Sequence, residues 1–82
     1  MRYLISYDLV KQKDYPELWA ALGRIGAVRI LESEWLCRRL NTSPKSLADY
    51  CLQYMDGDDR IFVIEVPDNY AYRNLLTDPS RV

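Results

Sequence analysis

The chain has 82 residues and no histidine. That length allows one domain, and the missing imidazole excludes Ser-His-Asp and Cys-His triads, paired-histidine acid–base chemistry and the usual catalytic zinc sites. Eleven basic residues against twelve acidic ones leave a net charge of −1, so no bulk positive field marks a nucleic-acid partner. Any catalysis must rest on carboxylates, Arg, Lys, Tyr, Cys or an oxygen-bound metal. A domain this small buries a modest core, and oligomerisation is a natural way to add to it. Cys37 and Cys51 make neither a disulfide framework nor a zinc knuckle; both sit in apolar-rich segments and read as small buried thiols. Met1 and Arg2 run straight into strand-like sequence, and the apolar runs are too short for a bilayer. The expectation is a soluble, cytoplasmic protein without a membrane span.

Residues 3–7 alternate as a strand, with Tyr3, Ile5 and Tyr7 on one face and Leu4, Ser6 and Asp8 on the other. Residues 10–13 form a short polar connection. Asp14 can then cap a helix, with Pro16 in its first turn and Glu17 reaching back. Tyr15, Leu18, Trp19, Leu22 and Ile25 make its apolar stripe, and Gly26 is its left-handed stop. Gly23, inside the last turn, suggests a close approach to the sheet. Residues 27–40 are too long for one ordinary strand and split into two, reversing near Glu32 and Ser33. Val28 and Ile30 share one face of the earlier strand. Trp35 and Cys37 share one face of the later strand, with Leu36 and Leu40 opposite and Arg38 between them.

Ser43 and Pro44 open a second helix as cap and first helical residue. Leu47, Tyr50, Cys51 and Tyr54 form its stripe. Asp56, Gly57, Asp58 and Asp59 make a turn. Residues 60–66 form the last strand, with Ile61, Val63 and Glu65 against Phe62, Ile64 and Val66, and Pro67 ends it. The tail is mixed, with Tyr70, Tyr72, Leu75 and Leu76 as packing residues, and residues 78–82 read as loosely held. The order is the split β-α-β-β-α-β, or ferredoxin-like, plan. It is an α+β fold with two helices on one face of a four-stranded antiparallel sheet. Residues 1–67 form the domain and residues 68–82 a C-terminal tail. The other sheet face needs a cover, and a second copy of the chain is the simplest one.

Three groups of residues invite chemistry. Asp8 ends the first, central strand. A carboxylate there either holds a hard divalent cation or bonds its own loop backbone. Asp56, Asp58 and Asp59 resemble a calcium loop in composition only, and read as a solvated turn. Eight Arg outnumber three Lys. Arg24, Arg29, Arg38, Arg39 and Lys45 crowd residues 24–45 against Glu32 and Glu34, as a phosphate-binding surface or a solvated strand face. The ten aromatic residues lack the RNA-stacking pattern of some ferredoxin-like modules and read mainly as core or interface.

The order of several short motifs resembles the CRISPR-associated protein two family, the small partner of the CRISPR integrase in spacer acquisition. Tyr3-Leu4-Ile5-Ser6-Tyr7-Asp8-Leu9 looks like its first strand; Arg29-Ile30, Ser33 and Trp35 look like its second-strand pattern. The second helix start and Arg60-Ile61-Phe62-Val63-Ile64-Glu65-Val66-Pro67 look like its second helix and fourth strand. The similarity covers about the first sixty-seven residues. It implies a homodimer in which residues 69–75 add a fifth strand to the partner's sheet. It also implies one magnesium ion shared by two Asp8 carboxylates, and backbone phosphates held by Arg29, Arg38 and Arg39. Leu31 replaces the family's usual Gln, and Glu34 stands where the family is often apolar. Virulence-associated protein D, a related small-toxin family, shares the fold and the Asp, so a stand-alone relative fits as well.

Three functions follow as expectations. The first is a magnesium-dependent endonuclease acting on RNA or DNA in antiviral defence, with Asp8 as catalytic and metal-binding residue. The second is a non-catalytic DNA-binding scaffold beside a CRISPR integrase subunit. The third is a protein-binding regulator or inhibitor that reuses the dimer face.

Overall fold

In the computed structural model, residues 1–10 and 15–82 are described. The strands are β1 (Arg2–Asp8), β2 (Val28–Leu31), β3 (Glu34–Arg38) and β4 (Arg60–Glu65), with helices α1 (Pro16–Arg24) and α2 (Pro44–Leu52). The sheet order is β2-β3-β1-β4 and every pairing is antiparallel. This is the ferredoxin-like α+β arrangement that the element order predicts.

Period-two alternation decides the layering. On β1, Tyr3, Ile5 and Tyr7 are buried; they lie opposite Cys37 and Trp35 of β3 and Glu65, Val63 and Ile61 of β4. This face carries the core, where Ile5, Tyr7, Trp35 and Cys37 join Leu18 and Leu22 of α1 and Cys51 of α2. A hydrogen-bond hub sits within it. The indole N–H groups of Trp19 and Trp35 both donate to the Tyr7 hydroxyl oxygen, each at 3.0 Å, and so tie α1 and β3 to β1. The other sheet face carries Leu4, Ser6, Leu36, Phe62 and Ile64.

Both helices begin with proline at the first helical position. The Ser43 hydroxyl caps α2 by accepting from the Ser46 amide at 3.1 Å. At α1 the N-cap position falls on Tyr15, whose side chain makes no capping bond. Asp14, the expected cap, lies outside the described residues, as do residues 11–13 of the expected polar connection. Tyr15 is held instead by its hydroxyl, which donates toward Asp56 at 3.3 Å and Asp59 at 3.4 Å. Asp59 also accepts from the amides of Asp56 and Val10. The acidic turn is thus a tie-point, not merely a solvated loop.

At the end of α1, Gly26 adopts φ +79°. Its amide reaches the Gly23 carbonyl and that of Ala27 the Leu22 carbonyl, both at 3.0 Å. These are the two bonds of a Schellman cap. Gly23, by contrast, does not approach the sheet: it is exposed, and a Cβ there meets nothing within 4 Å. The two glycines therefore predict opposite outcomes in thermal unfolding. Gly26→Ala strains a left-handed position and costs about 1 kcal/mol. Gly23→Ala removes helix-interior flexibility and gains about 0.5–1 kcal/mol. Equal shifts for both would contradict this assignment.

The β2–β3 reversal falls at Glu32 and Ser33 as expected. A register shift between Arg29 and Leu31 marks a bulge, and Ile30 and Leu31 both reach the groove on the helix-free face. Leu40 does not join β3 and is 78% exposed. The β1–β3 ladder ends with Arg38 opposite Arg2, the first residue of β1, two residues before Leu40.

Residues 69–75 form no strand in the single chain, and the tail folds back over the helix-free face. Asn74 interrupts it with φ 57°. Residues 78–82 are not loose. Asp78 caps a short 3-10 turn (Pro79–Arg81), Pro79 is fully buried, and the Val82 carbonyl accepts from Arg38 Nε at 3.0 Å.

Candidate functional site

Asp8 is the last residue of β1 and projects on the helix-free face, directly opposite Arg60 at the start of β4. Arg60 Nη1 donates to Asp8 Oδ2 at 2.8 Å, with both side chains about two-thirds or more exposed. A shallow cleft beside them is lined by Ser6, Tyr7, Ile61 and Phe62. An ion pair in that much water holds with about 0–1 kcal/mol, so another cationic ligand displaces Arg60 at small cost.

The three arginines are not gathered around Asp8. Arg29 projects on the helix side, stacks 4.7 Å from the Trp19 ring centroid and donates through Nε to the Glu32 carbonyl at 2.9 Å. Arg39 donates to the Ile25 carbonyl at 3.2 Å, at the end of α1. Arg38 shares the face of Asp8 but not its end. It pairs with Arg2, six residues before Asp8, which at strand rise is about 20 Å away. Among the described residues none of the three pairs with a side-chain carboxylate; Arg29 and Arg39 each spend a donor on a backbone carbonyl, and Arg38 on a main-chain oxygen of Val82.

Glu34 accepts from the Ser6 hydroxyl at 3.1 Å on the helix-free face. This cross-strand bond explains how a carboxylate is tolerated at a position that the resemblance expects to be apolar. Leu31 lies at the bulge and is exposed.

The titration of other groups reflects burial. Removal from water raises the Cys37 thiol, and raises Cys51 to about 11 with help from neighbouring Cys37. Neither is a ready nucleophile, as the reading of buried thiols expects. Partial removal from water, then the charges of Asp56 and Asp59, push Tyr15 up to about 12. That hydroxyl is a fixed donor and no general base at neutral pH.

Magnesium asks for about six oxygen ligands in near-octahedral order. Among the described residues one chain offers Asp8, already facing Arg60, and no group of three metal-ligating side chains forms. The described residues of one chain therefore do not make a magnesium site, and a second copy would double the carboxylate. No helix among the described residues is long and apolar enough to cross a membrane.

Sequence reading missed three features of this region. Arg60 as the partner of Asp8 follows only from the β1–β4 register. The Trp19–Tyr7–Trp35 hub needs three elements at once. The tail's return has no periodic pattern to announce it. By fold, the chain is a small ferredoxin-like α+β protein with one sheet face covered by helices and the other partly open. No family model matches it, and no solved structure matches it significantly.

Proposed function

We propose that this chain works as a nucleic-acid-handling homodimer of the CRISPR-associated protein two type. In this reading the helix-free sheet faces meet, and the two Asp8 carboxylates share a magnesium ion that would polarise a phosphodiester. The observation that carries it is the position of Asp8: exposed, on the apolar open face beside Phe62, and paired among the described residues with Arg60 in a solvent-exposed ion pair. The ordered motifs from Tyr3 to Pro67 support the same reading.

The test is cleavage of labelled RNA and DNA with and without magnesium, comparing wild type with Asp8→Asn, and with sedimentation to show that the dimer persists. Metal-dependent cleavage should fall by about 100-fold or more on removing the carboxylate. Undiminished cleavage in the variant would overturn the metal role. The arginines favour a second reading, a non-catalytic DNA scaffold, because Arg29, Arg38 and Arg39 pair with no side-chain carboxylate among the described residues. It expects no cleavage but salt-sensitive duplex binding, with a shallower salt slope when all three are changed to Ala. No nucleic-acid binding by any form would leave the protein-binding regulator.

A further inference from the structure

The helix-free face of the sheet is partly closed by the chain's own tail. The Leu76 amide donates to the Ile30 carbonyl at 2.9 Å, along the outer edge of β2. Pro79 is fully buried. Arg38 holds the Val82 carbonyl, and Arg2 donates to the Tyr70 hydroxyl at 2.9 Å while facing Asp68 at 3.6 Å. These anchors are spaced along the tail, and the packing between them is incomplete. A groove of about 360 Å³ remains between the tail and Leu4, Ile30 and Leu36. Past the tail, on the same face, Phe62 is 64% exposed and Ile64 44%.

We propose that the tail is a strap that closes in cis over the face where a second copy docks, so that association requires the strap to open. The proposal rests on the homodimer reading above. The occupant is a second copy because the uncovered strip is suited to itself. It has two large apolar side chains, and its end carries Asp8 and Arg60, opposite charges that a two-fold axis exchanges between copies. The tail and the partner then compete for one continuous surface. Both copies must open, so a strap closed about nine-tenths of the time on each weakens apparent association about a hundredfold.

The experiment uses the full chain and two tail variants. Leu76→Pro removes the amide that bonds Ile30, and Pro79→Asp places a charge in a buried site. Hydrogen exchange in dilute monomer reports strap closure through the amide of residue 76 in wild type and the neighbouring tail amides in the variants. Sedimentation across concentration reports association. The expected result is a Leu76 amide protected in wild type, a tail released in both variants, and association about a hundredfold tighter in them. An unprotected Leu76 amide in wild type overturns the strap. Weaker association in the variants also overturns it, since the tail would then belong to the interface, with the homodimer standing. Unchanged association with the tail released overturns the strap alone. No association by any form, tail released or not, overturns the strap and the homodimer together.

Discussion

Replacing Ile5 with Ala is expected to lower the unfolding free energy by about 3–4 kcal/mol. Ile5 is fully buried at the middle of the central strand, opposite Trp35 on one side and Val63 on the other. Its face looks into the core shared by Leu18, Leu22 and Cys51, so the lost methyl groups leave a space walled by strands and both helices. A domain of this length has about 4–12 kcal/mol of total stability. The loss is therefore a quarter or more of the whole. Urea unfolding of Ile5→Ala, with Ile5→Val as a milder control at about 1 kcal/mol, measures it. A change under 1 kcal/mol for Ala would show that the core is far looser than its burial indicates.

Tyr7→Phe should cost about 2–3 kcal/mol although it removes a single oxygen. That oxygen accepts two indole N–H groups, and one donor, Trp35, is buried. Losing the acceptor leaves the Trp35 N–H without a partner away from water, about 1–3 kcal/mol by itself. Trp19 is only half-buried and recovers part of its loss from solvent. For a domain of this size the melting point should drop by about 10–20 °C. Calorimetry reads this directly, and tryptophan near-ultraviolet circular dichroism should weaken because both indoles lose their common anchor. A stability change below 0.5 kcal/mol would mean that the hub is incidental. The same result bears on the site, since Tyr7 immediately precedes Asp8 and fixes the end of β1.

Local signals in the sequence were readable wherever one element decided its own conformation. Alternation at Tyr3, Ile5 and Tyr7 placed the core face of β1, and the Ser43-Pro44 pair placed the start of α2. Pro16 likewise fell at the first position of α1. What was not readable depends on a partner distant in sequence. Leu40 continues the strand alternation, but the β1–β3 ladder ends at Arg2 and Arg38, which alternation alone does not reveal. Gly23 reports a missing side chain, not the direction in which its helix face points. Asp8 was visible as a strand-ending carboxylate, while its bond to Arg60 spans 52 positions and needs the full register. The arginines were visible as a cluster in sequence. The pleat and the strand ends then sent Arg29 to the helix side and Arg38 to the far end of the open face.

The strand order has a temporal consequence. β1 is the first strand made, yet one of its two neighbours is β4, with Leu4 set against Ile64. At ribosomal speeds of about 5–20 residues per second, Leu4 waits about 3–12 s for that partner to be synthesised. Once β3 is made, about halfway through this interval, Tyr3, Ile5 and Tyr7 have β3 on one side and an unfilled ladder on the other. The nascent chain thus presents a core strand half-paired. That interval is when a trigger factor or holdase has most to protect, and slowing synthesis between residues 40 and 60 should increase aggregation of the newborn protein.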